Sequence, residues 1–518
     1  MIEKTSITQR LLKGDLSIIF YFSLVRLLLH FGVSIGGGYG FFRDELYYLA
    51  CADHLAWGYV DQPPLSIFIL KFFTAIFGDS LFAVRIVPAL CGAFTIFFTG
   101  LITIRLGGKR FAQVLACIAS FSLISVGMNS IYSMNSIDIL IWTAVAYVVL
   151  LIIQEEKKQL WIVLGVLLGL GLLNKVGVLF LGVGLFAGLL ISPQRKWLLT
   201  PWPYVAGAIA FIFFMPYIVW NLQHDNAHLE FIRRASEGKY SSLTPLKFIK
   251  DQFLINNPLA SPVWIAGLFA LLFLQPLNRY RFLAFLYVGP LIIFVANGTS
   301  KSEYLAAGYA VLWAAGSVWW EALTNRKSLK LWLRPLLILL IFGLNILFMP
   351  MVLTVLPVEK YISYAKVLGQ EPSSVESKEL AELPQFYADM FGWQQKAIDV
   401  AEVYNTLTDE EKSKCAIFGM NYGDCGAIDY FGGPLGLPKA IGNHNNYWIW
   451  GPRGYTGEIV IIMGGDLEDH ADHFESVKLM KVHDCQYCMP YEDNMNIFLA
   501  RKLVVTLDNI WEQEKHYE

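Results

Sequence analysis

The sequence predicts a polytopic α-helical membrane protein that carries a C-terminal extracytoplasmic α/β domain, and three observations carry that expectation. Of 518 residues, 55% are hydrophobic and only 16% charged, with a mean hydropathy of +0.48, outside the soluble range. Apolar stretches of about 20 residues, the length that spans a bilayer, recur as far as residue 353. From residue 354 the composition becomes that of a soluble domain, and its ~165 residues suffice for one core.

In order, the apolar spans fall near residues 15 to 36, 81 to 104, 111 to 128, 137 to 153, 160 to 191, 202 to 220, 259 to 275, 282 to 297, 303 to 321 and 333 to 353. The fifth is too long: its roughly 32 residues would run about 48 Å as a helix against a hydrocarbon core of ~30 Å. Splitting it at Asn174-Lys175 gives about 11 transmembrane helices. The split also satisfies the tendency of Lys and Arg to stay cytoplasmic. With it, Lys4/Arg10/Lys13, Arg105/Lys109/Arg110, Lys157/Lys158, Arg195/Lys196, Arg279/Arg281 and Arg326/Lys327/Lys330/Arg334 all share one side. The N-terminus is then cytoplasmic, its first span an uncleaved anchor, and everything beyond residue 354 lies outside. A net charge of -2, a pI near 6.5 and the lack of a basic tail argue against nucleic acid as a partner.

The chemistry is expected in the external segments 37 to 80, 128 to 137 and 221 to 258. The first places Asp44-Glu45 just beyond the first span, continues through Gly58-Tyr59-Val60-Asp61-Gln62-Pro63-Pro64, and ends in an apolar stretch over 66 to 73 that suits a helix lying in the interface. Its aromatics suit either a lipid-tailed substrate or an ordinary headgroup belt. In the second segment Asp138 opens an otherwise apolar helix, where a carboxylate needs a cation or metal beside it; Arg85 is the protein candidate, and a purely structural Asp138–Arg85 pair is the alternative.

Seven stretches, in this order, resemble the GT-C superfamily of membrane glycosyltransferases, specifically its bacterial glycosyltransferase family 39 or protein-mannosyltransferase-like branch, related to aminoarabinose transferases. They are Arg43-Asp44-Glu45-Leu46-Tyr47-Tyr48, Tyr59-Val60-Asp61-Gln62-Pro63-Pro64-Leu65, Arg85-Ile86-Val87-Pro88, Ser136-Ile137-Asp138, the run from Gly169 to Lys175, the run from Pro216 to Asp225, and Lys301-Ser302-Glu303-Tyr304. The resemblance implies transfer of a sugar from a polyprenyl-phosphate donor to a lipid, glycan or protein acceptor on the outer face of a bacterial inner membrane, with inversion. A lipid phosphate already leaves well, so one carboxylate base and some positive charge suffice.

The family's first-loop Asp maps to Asp44, which would be the base. Glu45 and Asp138 are the other catalytic candidates, with Glu45 alternatively bracing the loop. Tyr59, Gln62, Arg85, Lys175, His224, Lys301 and Tyr304 are the substrate-binding candidates; each cation also reads as a snorkelling or ion-paired side chain. Gln62 stands where the aminoarabinose branch has a phosphate-contacting lysine, which argues against that donor. Asp61 and His224 resemble metal-site positions of that branch, an oxygen and an imidazole suited to a divalent metal such as zinc, against the plainer reading of a hydrogen-bonded histidine.

Two domains follow: 1 to 353, the transmembrane transferase domain with its catalytic loop at about 37 to 80, and 354 to 518, the α/β domain. The latter is expected to have a helix over 388 to 407, apolar runs at 415 to 418, 458 to 463 and 496 to 503, and helices near 424 to 431, 466 to 474 and 505 to 515. Cys415, Cys425, Cys485 and Cys488 favour disulfides in that compartment, with a zinc knot as the alternative. The stretch from Gly442 to Gly451 mixes amides and aromatics and is expected either to contact the acceptor, to order the loop above the active site, or to form a rigid turn. A transporter or lipid flippase is the competing class, but it predicts internal repeats and broken midplane helices, whereas here the polar groups gather at one face.

Overall fold

The computed structural model describes residues 16–36, 38–239, 243–298, 300–325, 331–374, 378–505 and 507–518. The basic residues Lys4, Arg10, Lys13, Arg326, Lys327 and Lys330 lie outside the described residues. Two compact units emerge, each assembled from separate stretches of chain: one from 1–37, 85–219 and 242–356, the other from 38–84, 220–241 and 357–518.

The first unit is helical. Among the described residues, five helices are long and apolar enough to cross a membrane: Leu16–Gly36, Leu81–Arg105, Met134–Glu155, Trp202–Gln223 and Leu333–Met351. Two bent pairs, Val178–Ile191 with Pro193–Leu199 and Pro245–Ile255 with Pro258–Phe273, bring the number up to seven if each pair is one span. The other expected spans fall on shorter pieces: Arg110–Ala119, Gln159–Asn174, Phe282–Asn297 and Tyr309–Asn325. The long fifth span is indeed broken at Asn174-Lys175, where Lys175 leaves helical geometry at φ -155°. Glycines set the closest helix approaches, because lipid offers no hydrophobic drive and backbones must meet. A Cβ at Gly316 would run into the Val263 carbonyl, and one at Gly289 into the Gly184 backbone. Polar groups add interhelical bonds: Asn257 donates to Asn345 at 2.8 Å, and Glu321 accepts the backbone N–H groups of Lys109 and Ala112 at the start of Arg110–Ala119.

The second unit contains a five-stranded sheet of order β2-β1-β3-β5-β4, formed by β1 Cys415–Gly419, β2 Ile441–Gly442, β3 Ile459–Met463, β4 Phe474–His483 and β5 Met495–Leu503. β1 runs parallel to β2 and β3, Cys415 opposite Ile459, while β5 is antiparallel to β3 and β4. All three expected apolar runs are strands, and Ala416, Val460, Ile462, Phe498 and Ala500 form one buried face. The expected helix over 388 to 407 is shorter, Trp393–Tyr404, because Gly392 at φ 88° ends the preceding turn. β4 was not anticipated. It is an edge strand whose lysines and glutamate mask any apolar run, as suits an edge kept from pairing with other chains. Cys485 and Cys488 form a disulfide, whereas Cys415 and Cys425 are free, buried thiols in β1 and in helix Tyr422–Phe431.

To this sheet the unit adds helices Arg43–Asp53 and Leu65–Phe77 from the expected catalytic loop, together with Ala227–Arg234. Leu65–Phe77 has 13 residues. At 1.5 Å each that is about 20 Å, short of a ~30 Å core. It buries Ser66, Ile67 and Leu70 and exposes Phe72, Ile76 and Phe77.

Candidate active site

Arg43–Asp53 begins with the acidic pair, and the two carboxylates part company there. Glu45, at the third helical position, is fully buried and accepts the Phe42 backbone N–H at 2.9 Å, filling a donor the helix start leaves orphaned. Asp44 keeps 36% of its side chain exposed and accepts the Tyr422 hydroxyl on Oδ1 at 2.8 Å. Among the described residues its Oδ2 has no hydrogen bond. The Arg43 guanidinium stands 3.8 Å from Asp44, lies over the Tyr422 ring at 5.3 Å and donates to the Tyr491 hydroxyl at 2.8 Å. An anion in the first helical turn is also favoured by the helix dipole.

The loop after this helix is held from three directions. Asn446 accepts the Val60 N–H at 2.8 Å, His228 bonds the Val60 carbonyl through Nδ1 at 2.9 Å, and Tyr47 donates to Asp61 at 3.0 Å. Burial drives the Tyr47 phenol well above its ordinary value, with the Asp61 carboxylate adding to it, so this hydroxyl stays a donor. Burial likewise lowers His228, which therefore sits neutral with its proton on Nδ1. His54 stacks on Trp450 at 4.3 Å. The amide and aromatic stretch thus orders the loop; its Asn446 does so from 386 residues away. Tyr59 is fully buried and its hydroxyl ties the carbonyls of Cys51 and His54, both 3.3 Å, a loop-holding position rather than an open one. Gln62 is fully buried, and its side-chain amide makes no hydrogen bond among the described residues.

His224 bonds the Trp220 carbonyl through Nδ1 at 2.8 Å and stacks on that ring at 4.2 Å. Neither it nor Asp61 belongs to a set of three His, Cys, Asp or Glu able to hold a metal, and no such set exists among the described residues. No step is assigned to a divalent cation.

In the helical unit the break at Asn174-Lys175 gathers several expected residues. Lys175 donates to Asn135 Oδ1 at 2.7 Å and lies over the Tyr304 ring at 4.4 Å, and Asn174 donates to the Met134 carbonyl at 2.9 Å. Asp138 is buried on Met134–Glu155, the helix that also carries Asn135. Arg85 is 3% exposed just before helix Ile86–Arg105, and Lys301 just before the turn Ser302–Gly308. Tyr422, Asn446 and His228 were not singled out as site residues; only Asn446 lay in a stretch whose composition signalled anything.

Residues 61–220 match the dolichyl-phosphate-mannose-protein mannosyltransferase family. The lipid A galacturonosyltransferase RgtD of Rhizobium johnstonii is 25% identical over 333 residues, 62% of this chain and 68% of the relative. Two crystal structures of ArnT from Cupriavidus metallidurans share the fold. The one bound to undecaprenyl phosphate gives a TM-score of 0.61 at 10% identity, the apo one 0.60 at 12%, each covering 92% of this chain and 97% of ArnT. With the family segment and the relative in agreement, this chain is a membrane glycosyltransferase, and it shares the fold of the ArnT structures.

Proposed function

We propose that the protein moves a sugar from a polyprenyl-phosphate carrier to a hydroxyl of a lipid-anchored glycan on the outer face of a bacterial inner membrane, inverting the anomeric centre. The observation that carries this reading is Asp44: a half-exposed carboxylate, fixed on Oδ1 and open on Oδ2, at the start of a helix whose other acid is spent on capping. The acceptor O–H gives its proton to Asp44 Oδ2 as its oxygen bonds the anomeric carbon, and the carbon–oxygen bond to the lipid phosphate breaks. The phosphate keeps the electron pair. The helical unit by itself offers Lys175, which donates to Asn135, as a phosphate-binding candidate, with Lys301 and Arg85 as further cations.

The relative's lipid A activity and the undecaprenyl phosphate of the ArnT structure support this donor and acceptor class. Leu65–Phe77, short and with Phe72, Ile76 and Phe77 exposed, suits a helix lying at the membrane surface. The N-terminus is cytoplasmic and residues 354 to 518 are periplasmic in this reading. The test is transfer in proteoliposomes offered separate polyprenyl-phosphate sugars and a lipid A acceptor. Transfer from one donor supports the proposal, and no donor-dependent transfer in any combination overturns it.

A further inference from the structure

Beneath the Asp44 end of the second unit lies a buried charged group that the chemistry above does not use. Lys396, 1% exposed, donates to Asp424 at 2.6 Å and to Glu492. Asn421 donates to both carboxylates, at 2.8 Å and 3.0 Å, and its own oxygen accepts the N–H groups of Gly423 and Asp424 at 2.8 Å and 3.0 Å. Buried ion clusters are poor stabilisers beside well-packed apolar side chains, and their best-attested use is to fix one arrangement among several. What this one fixes is the first turn of Tyr422–Phe431, which Asn421 caps. Tyr422, the first residue of that helix, is the donor to Asp44.

Tyr422 has little freedom to be elsewhere. Its ring lies 4.8 Å from that of Tyr47 and 4.7 Å from His444, with the Arg43 guanidinium over its face. Arg43 in turn donates to Tyr491, the neighbour of Glu492, so one short turn, Pro490–Glu492, holds both the cluster and Arg43. At Gly423 a Cβ would collide with the Arg43 stem and the Trp393 ring, which shows how closely the helix start is pressed against the acidic loop.

We propose that Tyr422 is a positioning residue for the transfer reaction: its phenol pins Asp44 Oδ1 so that Oδ2 is presented to the acceptor hydroxyl, and the Lys396–Asp424–Glu492–Asn421 cluster holds Tyr422 in place. The inference rests on Asp44 being the base. It makes the C-terminal segment a working part of the active site, since a misplaced base loses rate even when both substrates bind.

The test compares full-length wild type, Tyr422→Phe, Lys396→Met and Asp44→Asn in proteoliposomes, measuring kcat and the KM of the polyprenyl-phosphate donor. Tyr422→Phe is expected to lower kcat about tenfold per folded enzyme with the donor KM unchanged and the melting temperature kept, a combination that a smaller folded fraction would not give. Lys396→Met is expected to lower kcat in the same way. A Tyr422→Phe enzyme with wild-type kcat overturns this inference while an inactive Asp44→Asn leaves the base assignment standing; an active Asp44→Asn overturns that assignment instead. Where Tyr422→Phe does not fold, 3-fluorotyrosine placed at 422 keeps the shape and alters only the strength of the phenol as a donor. A changed kcat then supports the inference, and an unchanged one overturns it.

Discussion

Lys175, in the break that separates Gln159–Asn174 from Val178–Ile191, donates to the Asn135 side-chain oxygen at 2.7 Å. The break frees Lys175 from helical geometry, and the bond to Asn135, one residue into Met134–Glu155, fixes where its ammonium points. Replacing it by Gln keeps a donor and removes the charge. Charge-assisted hydrogen bonds are worth about 1.5–3 kcal/mol, so kcat/KM for the polyprenyl-phosphate donor is expected to fall about 10- to 100-fold in Lys175→Gln. Initial rates across donor concentration check this, and an unaltered kcat/KM removes Lys175 from phosphate binding.

Glu45 and Asp44 are neighbours with opposite expected phenotypes. Glu45→Ala leaves the buried Phe42 N–H without its acceptor, and the expected loss is about 1–3 kcal/mol of stability. Asp44→Asn is isosteric at a half-exposed position and is expected to leave the melting temperature within a degree or two of wild type. Thermal unfolding of the two purified variants separates the roles.

Asn446 satisfies the Val60 N–H and touches the Tyr47 hydroxyl. Asn446→Ala is therefore expected to cost about 1–3 kcal/mol and to loosen the loop from residue 54 to 64. Hydrogen exchange at Val60 is the sensitive measure: it should quicken in the variant, and equal protection in both proteins would show that the bond matters little.

The Lys396 cluster makes stability depend on pH. Burial, reinforced by the Glu492 carboxylate and opposed by Lys396, pushes Asp424 from an ordinary 3.8 up to about 7. In that window the folded state holds a proton that the unfolded state has released, so this group's contribution makes stability fall as pH rises from about 4 to about 7. Asp424→Asn is expected to remove that part of the slope. Melting temperatures at several pH values for both proteins check it, and identical profiles would refute the coupling.

The apolar spans were legible because lipid demands a simple, long pattern, and the split at Asn174-Lys175 was legible because the stretch far exceeds what one upright crossing needs. Lys175, Asp138 and Tyr304 were singled out through residue type and family likeness, and the structure does bring Lys175 over the Tyr304 ring. The number of crossings was less legible, since helices such as Arg110–Ala119 are too short to settle it by length and composition. Tyr422 left no trace: its partner Asp44 is 378 residues away, and one tyrosine at a helix start has no periodicity or spacing to mark it. His228 escaped for the same reason, 168 residues from the carbonyl it holds. β4 was missed because an edge strand studded with lysine breaks the apolar run by which strands are recognised.

Asp44 is proposed to remove the acceptor proton. The direct measurement is transfer by wild type and Asp44→Asn, matched in amount, in proteoliposomes with the same polyprenyl-phosphate sugar, alongside binding of that donor to each. Asp44→Asn is expected to bind the donor as wild type does and to transfer at least a thousandfold more slowly, on the order of 4 kcal/mol of barrier. Equal transfer by the two proteins would contradict it.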